Sequence, residues 1–474
     1  MNKTISIDPV TRIEGHGKIT LHLNDDGAVD NAYFHVTQFR GFEKLIDGRP
    51  FREMPAIMAR ICGICPISHL SAAAKACDQI LGVGIPKPAV KLRRLMNLAQ
   101  IIQSHALNFF YLSSPDFIMG MDAEPETRNL MGVLKKNSQI AHDGIMLRKF
   151  GQEIIETFAG KRIHPDWIIA GGVKTPIKKE NIDKFLKQIP DVLKAVTRNI
   201  EWFKIQLPKF KDEIKTFGSM QSLFMGLVND NNELDFYDGK LRFVDHTGKA
   251  VGEKIHPNDY RTYIDEHVEE WTYLKFPYYK PRGYPEGMYR VGPLARLNVA
   301  ERCGTELADK EFIEFRGMSR GAVLSSFHYH YARLIEILYA IEKIEILGND
   351  PDILQKNVRA EAGVNNSEGI GIVEAPRGTL IDHFKVDENG IIQWGNLIIA
   401  TGNNNLAMNR SVLQVAKHFV KGDKLTNGML NRVEAVIRAY DPCLSCSTHA
   451  IGKMPFQVEL VNSEGFVIDK LNRS

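Results

Sequence analysis

Polar and apolar positions along this chain begin in alternation, pass to a helical period, and return to alternation near the end. Lys18 to Leu23 alternates, Asp25-Asp26-Gly27 supplies a turn, and Ala32 to Val36 resumes the pattern, so the N-terminal segment reads as strands. From Lys91 to Leu112 the apolar residues Leu92, Leu95, Met96, Ala99, Ile102 and Leu107 recur at helix spacing. Asn181 to Ile214 reads as two helices broken near Pro190 and Pro208. Gly321 to Leu347 reads as one long apolar helix stopped at Gly348. Residues 227–290, rich in Asn, Asp, Tyr, Gly and Pro, read as an irregular surface excursion. A late hairpin is expected from His383 to Val386 and Ile391 to Trp394, turning at Asp387-Glu388-Asn389-Gly390, with the apolar run Leu397-Ile398-Ile399 behind it. The expected architecture is α+β and mainly helical, a large central helix bundle with small peripheral antiparallel sheets.

At about 150 residues per domain, 474 residues allow roughly three domains, but no linker, repeat or low-complexity tract divides the chain. One large domain is therefore expected. Lys and Arg number 60 against 57 Asp and Glu, a net charge of +3 without a long basic block, so nothing argues for nucleic acid. No apolar run approaches the ~18 residues of a membrane span. The opening Met1-Asn2-Lys3-Thr4 leads into no apolar signal core and no small-residue cleavage site, so the default expectation is a soluble cytoplasmic protein. A partner's signal can still carry such a chain across a membrane.

The six cysteines change the picture. Four fall in two C-x-x-C pairs near opposite ends: Arg60-Ile61-Cys62-Gly63-Ile64-Cys65-Pro66-Ile67-Ser68-His69 and Asp441-Pro442-Cys443-Leu444-Ser445-Cys446-Ser447-Thr448-His449. In a long intracellular chain such pairs bind metal or do redox chemistry more often than they form disulfides. Gly63 is expected to give a tight turn between the thiols. Pro66 suits the first position of a helix that begins at Cys65, which puts His69 on the same helix face. Asp441, preceding a proline, is expected to be extended. Four thiolates can make a structural zinc site. Yet most of the chain lies between the pairs, whereas zinc ribbons close short loops, so redox metal or iron–sulfur ligation stands beside zinc. The lone Cys77 and Cys303 read as small buried apolar residues. His328 and His330, in His-Tyr-His-Tyr, read as packed or partner-facing.

The two cysteine motifs resemble the paired signatures of nickel–iron hydrogenase large subunits. Arg12-Ile13-Glu14-Gly15-His16 and Glu374-Ala375-Pro376-Arg377-Gly378 resemble that family as well. The resemblance runs from Ile7-Asp8-Pro9 to the C-terminus. Arg40-Gly41-Phe42-Glu43, Ser104-His105-Ala106-Leu107 and Ala400-Thr401-Gly402-Asn403-Asn404-Asn405 look nearest to the soluble, bidirectional NAD(P)-linked class. A quinone-module subunit of respiratory complex I would have a related fold but lacks the paired cysteines.

The resemblance implies the following roles. Cys62 and Cys443 would be terminal nickel ligands. Cys65 and Cys446 would bridge nickel to an iron carrying carbon monoxide and cyanide. Soft thiolates suit both metals, and one terminal thiolate, Cys443, can take the proton of split dihydrogen. Arg377 would lie over the metals and donate to one cyanide, and Thr401 to the other. Asp116 and Asp441 would orient Arg377, Glu14 would relay protons, and His69 would orient a bridging cysteine. Glu43 and His449 would bind magnesium or a second iron near the mature C-terminus.

The same resemblance makes residues 1–449 the catalytic domain and 450–474 an extension removed after His449 by a maturation endopeptidase once nickel-insertion proteins have acted. The chain has no complete G-x-G-x-x-G fingerprint, Gly369-Ile370-Gly371 being a fragment, and no spare cysteines for a cluster. It therefore needs an iron–sulfur small subunit, together with the flavin-bearing NAD diaphorase subunits of this class. A hydrogenase coupled to heterodisulfide reductase or a deazaflavin is the second reading.

Overall fold

In this computed structural model, residues 4–421 and 425–448 are described in full, and 456–461 and 467–473 as backbone. Strands β1 (Thr4–Ile7), β2 (Lys18–Leu23) and β3 (Val29–His35) form an antiparallel sheet in that order. Their alternation turns Ile19, Leu21, Ala32 and Phe34 into the core.

Helix α1 (Pro66–Leu81) starts with proline in its first turn behind Cys65 and stops at Gly82, which is left-handed at φ 64. Helix α2 (Lys87–Ala106) passes into a wider, π-type winding over Leu107–Ser113 rather than continuing as an α-helix. Then come α3 (Ser138–Ala159) and α4 (Ile189–Gln206). The breaks expected near Pro190 and Pro208 are both present: a helix over Lys179–Leu186 ends just before α4, and a 3-10 turn over Leu207–Phe210 follows it. Pro190 itself lies in the first turn of α4, where its missing N–H costs nothing.

Residues 227–290 are not an irregular excursion. They contain the end of β4 (Leu223–Val228), then β5 (Lys240–Val244), β6 (Ala250–Ile255), β7 (Ile264–Val268) and β8 (Lys275–Tyr279). All six residues of β4 are buried. Most of the Asn, Asp and Gly residues lie between the short strands, and the density of turns hid the strands. Strand β9 (Tyr289–Arg290) joins β4 in parallel, giving the order β9-β4-β5-β6.

Helix α5 (Pro293–Val299) follows, then α6 (Tyr329–Gly348), which starts later than Gly321. The Ser325 side chain accepts the Phe327 N–H and starts a short 3-10 turn that leads into it. Helices α2, α3, α4 and α6 pack into the central bundle. Strands β10 (Glu368–Ala375), β11 (Gly378–Val386) and β12 (Ile392–Ile398) form an antiparallel sheet. Helices α7 (Asn405–Phe419) and α8 (Asn427–Tyr440) follow. Beyond them the backbone of 456–461 and 467–473 forms an antiparallel hairpin.

The contact that positions the site is α1 on β10. A Cβ at Gly369 or Gly371 would overlap the carbonyl oxygens of Ala76 and Ala72 respectively. The Gly-Ile-Gly fragment is thus explained by helix–strand contact. That contact sets the Cys62–Cys65 loop, at the start of α1, beside the Pro376-Arg377 turn at the end of β10. Among the described residues, no helix is long and apolar enough to cross a membrane.

Candidate metal centre

Each cysteine pair is held by a helix end. Cys62 is extended at φ −141, ψ 140, and Cys65 is the residue on which α1 begins. Gly63 has no positive φ, and a Cβ there would meet nothing within 4 Å, so the turn does not require glycine. The second pair follows α8. Asp441 closes that helix in the left-handed region at φ 57, ψ 54, not extended as its place before Pro442 led us to expect. Aspartate tolerates this conformation, and Arg377 anchors both its carbonyl and its carboxylate there. The early Arg-Ile-Glu-Gly segment pins the second loop from outside. Leu444 N–H donates to the Glu14 carbonyl at 3.1 Å, and Ser445 N–H to Glu14 Oε2 at 3.0 Å.

These supports gather four thiols from opposite ends of the chain. Their sulfurs all lie within 4.8 Å of one another. Cys62 to Cys443 is 3.4 Å, Cys65 to Cys446 is 4.0 Å and Cys443 to Cys446 is 2.7 Å. A tetrahedron with 2.3 Å metal–sulfur bonds has edges of about 3.8 Å; the Cys62–Cys443 and Cys65–Cys446 spacings bracket that length, and the Cys443–Cys446 spacing is shorter. None of the four is more than 5% exposed, and none is in a disulfide. Hydrogen bonds from Cys443, Cys446 and Cys62 draw the Cys65 thiol well below its usual range, while burial pushes Cys443 and Cys446 well above theirs. One negative charge settles easily in the cluster and further charges are resisted. Four thiolates there require compensating metal charge.

Beside Cys65, Cys443 and Cys446 lies a small cavity walled by Ala375, Pro376, Leu380 and Ile399, into which His69, Arg377 and Thr401 bring polar groups. Arg377 is held by Asp441, with Nε on the carbonyl at 2.5 Å and Nη2 on Oδ1 at 3.2 Å. Its Nη1 is buried without a partner. Thr401 Oγ1 accepts the Cys443 N–H at 3.0 Å, which leaves its own O–H free to donate. A closed structural zinc site needs no such cavity, whereas a reactive centre keeps an open position. A buried guanidinium nitrogen without a partner, facing soft thiolates, fits an anionic ligand on a metal.

His69 is buried on the Cys65 face of α1. Burial alone would lower its proton affinity, but its hydrogen bond to Cys65 and the charges of Cys65 and Asp382 raise it. Asp382, on β11, went unnoticed in the sequence. It is fully buried with neither carboxylate oxygen hydrogen-bonded. Burial, opposed by His69 and reinforced by Glu43, pushes its carboxyl up to about 7. Its signal was an acid inside the apolar run Thr379-Leu380-Ile381-Asp382. Glu43 lies 3.9 Å from the Lys275 ammonium. His449 lies outside the described residues.

The expected contact of Asp116 with Arg377 is absent. Asp116 pairs instead with Arg12 at 2.5 Å and Arg438 at 3.1 Å, and accepts the Asn431 amide at 3.1 Å. Two cations closer at hand occupy its oxygens, and among the described residues Asp441 is the carboxylate paired with Arg377. Cys77 and Cys303 are buried away from the cluster, Cys77 donating to the Phe51 carbonyl. His328 and His330 are buried, and the His330 ring packs on Phe117 and Phe327.

Comparison with known proteins agrees along the whole chain. A family model described as nickel-dependent hydrogenase matches residues 40–144 and 215–449, and one described as HoxL-like matches residues 4–39. The chain is 41% identical to the NAD-reducing hydrogenase HoxS subunit beta of Cupriavidus necator over 100% of both chains. It is 43% identical to a subunit of the F420-non-reducing hydrogenase vhu of Methanocaldococcus jannaschii, over 88% of this chain and 99% of that one. The crystal structure of an NAD+-reducing [NiFe]-hydrogenase in the H2-reduced state superposes with a TM-score of 0.92 at 42% identity, covering 94% of this chain and 99% of that one.

Proposed function

The chain belongs to the nickel-dependent hydrogenase family, and from that premise we propose that it is the catalytic subunit of an enzyme that reversibly splits dihydrogen, its electrons passing through partner subunits to or from NAD(P). The observation that carries this reading is the buried four-thiol cluster beside a cavity with an unpartnered guanidinium nitrogen. Cys62, Cys65, Cys443 and Cys446 would hold the nickel and iron, Cys62 and Cys443 on nickel alone and Cys65 and Cys446 between the two. When bound, the pair supplies a soft, redox-capable centre for heterolytic cleavage of dihydrogen, with carbon monoxide and cyanide on the iron.

The chain's own groups do the rest. Arg377 Nη1 and Thr401 Oγ1 are placed to donate to anionic ligands from two sides, and Asp441 keeps the guanidinium plane in position. The walls formed by Ala375, Leu380 and Ile399 exclude water. The Cys443 sulfur accepts a proton as base. Glu14, bonded to the loop that carries Cys443 and itself only half-buried, takes that proton towards the surface at its carboxylate. His69 orients Cys65. Glu43 and His449 would hold magnesium or a second iron, and the unpartnered Asp382 carboxyl near Glu43 fits a hard divalent cation there.

An iron–sulfur small subunit, flavin and NAD diaphorase subunits, nickel-insertion proteins and a maturation endopeptidase acting after His449 complete the proposed assembly, in the cytoplasm. A second reading sends the electrons to heterodisulfide reductase or a deazaflavin; the Methanocaldococcus jannaschii relative is named as not reducing F420, a deazaflavin, so within that reading its likeness favours an acceptor other than the deazaflavin. The test is dihydrogen-dependent reduction of NAD+, NADP+ and an artificial dye by the complex isolated through this chain. Nicotinamide reduction supports the first reading, dye reduction alone the second, and nickel-replete complex inactive with all three refutes both. Intact mass tests the tail: an active full-length chain refutes its removal.

A further inference from the structure

The turn that carries Arg377 poses a problem that its own sheet does not solve. Ala375 and Gly378 face each other across the β10–β11 ladder, so Pro376 and Arg377 form a two-residue hairpin tip. Hairpin tips ordinarily turn their carbonyls to water. This one is buried, and its carbonyls need donors from elsewhere.

Arg296, on α5, supplies them. It is 0% exposed. Its Nη1 donates to the Ala375 carbonyl at 2.9 Å and its Nη2 to the Pro376 carbonyl at 3.0 Å. The guanidinium is held in turn by two buried carboxylates. Glu336 on α6 takes Nε and Nη2 at 2.7 Å each, and Glu374, the residue before the tip, takes Nη1 at 2.7 Å. Glu374 also accepts the Thr379 hydroxyl at 2.8 Å and the Leu227 N–H at 3.0 Å, so the base of the hairpin is tied to the same node. His105 Nε2 lies 2.7 Å from Glu336. The backbone closes on the tip from the same side: a Cβ at Gly292, just before α5, would lie 2.8 Å from the Arg377 carbonyl oxygen.

We propose that Arg296 is a positioning residue for Arg377: it grips the backbone of the Pro376-Arg377 turn and so aims the free Nη1 of Arg377 into the thiol cavity. Arg296 lines neither the cavity nor the cluster and acts only through the turn. A lysine cannot replace it, because one ammonium cannot satisfy two carbonyls and two carboxylates in a planar fork. The proposal rests on the reading of Arg377 as a donor to an iron-bound cyanide.

The test uses the complete complex with Arg296→Lys, and Glu336→Gln as the near-isosteric variant that weakens the anchor without touching the turn. The readouts are nickel content, melting temperature, the infrared stretches of the iron's diatomic ligands, and kcat and KM for dihydrogen. In the nickel-loaded fraction of Arg296→Lys, the cyanide bands should shift in the direction seen for Arg377→Lys. The kcat per nickel should fall about 10–100-fold with KM little changed, the usual cost of losing a residue that orients a metal-site group. Glu336→Gln should shift the same bands by less. A purely structural role would lower melting temperature and loading but leave the bands of the loaded fraction unmoved. Wild-type bands and kcat in loaded Arg296→Lys, or in loaded Glu336→Gln where the lysine variant does not mature, overturn the proposal. Wild-type complex without such bands would instead overturn the reading of Arg377.

Discussion

Replacing Asp382 with Asn should stabilise the metal-free chain, and only at the alkaline end. The carboxyl is fully buried, neither oxygen has a hydrogen-bond partner, and burial pushes it up to about 7 from the ordinary 3.8. The folded chain therefore holds this proton more tightly than the unfolded chain. Stability from this group is complete below about pH 3.8, declines as pH rises, and levels off above about 7. Three pH units at 1.36 kcal/mol each make the full loss about 4 kcal/mol, of which about 3 kcal/mol falls between pH 5 and pH 8. At an unfolding entropy of about 2.1 cal/mol/K per residue, a chain of this length shifts by roughly 1 °C per kcal/mol. The assay is calorimetric melting of metal-free wild type and Asp382→Asn at both pH values, with and without magnesium. The variant should gain about 3 °C on wild type between pH 5 and pH 8, and magnesium should narrow the gap by stabilising wild type alone. Taking the difference between the two proteins removes the titration of the groups they share apart from His69, whose proton affinity Asp382 itself raises. A difference that does not change with pH, or one that favours wild type more at pH 8 than at pH 5, would refute the reasoning.

Other expectations follow from the same geometry. Cys446→Ser should fold but fail to load nickel, because a hydroxyl is not ionised at neutral pH and cannot stand in for a thiolate; elemental analysis showing a full nickel load would refute its place as a ligand. Gly371→Ala puts a methyl against the Ala72 carbonyl, so it should cost about 1–3 kcal/mol or more and lower the urea midpoint, whereas an unchanged midpoint would mean that α1 and β10 separate freely. Burial alone would raise the Asp116 carboxyl, but Arg438 and Arg12 hold it below its usual range. Its stabilising effect is thus present above about pH 3.8 and lost as pH falls through the lower folded value. Asp116→Asn should lose about 3 kcal/mol at pH 7 and show a flatter acid limb in melting against pH, and equal slopes for the two proteins would contradict the pairing.

The elements legible in advance were those whose periodicity is local. Strand β2, the core of α2 and the helix starting at Pro66 follow from spacing and from proline's preference for a first turn. The strands within 227–290 escaped because each is short and bounded by turn residues, so their burial comes from neighbours distant in sequence. Asp441 escaped because the preference of a residue before proline is weaker than the anchoring of its backbone and side chain by Arg377. Asp116 was assigned the wrong arginine because a motif names a residue's type and place in the chain, whereas its partner depends on which cation lies closer in space. Arg296 showed only as a lone charge in the apolar segment Pro293-Leu294-Ala295-Arg296-Leu297, and nothing local indicates that it caps a turn some eighty residues away.

By itself, the sequence determined the chemistry available: two thiol pairs, a guanidinium in a Pro-Arg-Gly turn, and the helix starts and stops that present them. Those features depend on residues within a few positions of each other, where backbone sterics and hydrogen bonding act directly. Tertiary structure alone decided that the two pairs meet within 4.8 Å, that Asp441 rather than Asp116 holds Arg377, and that Asp382 is left buried without a partner. Each of those outcomes depends on where α1, β10 and α8 come to rest against one another. That placement is set by burial and close packing summed over the whole core, a quantity that no short stretch of sequence contains.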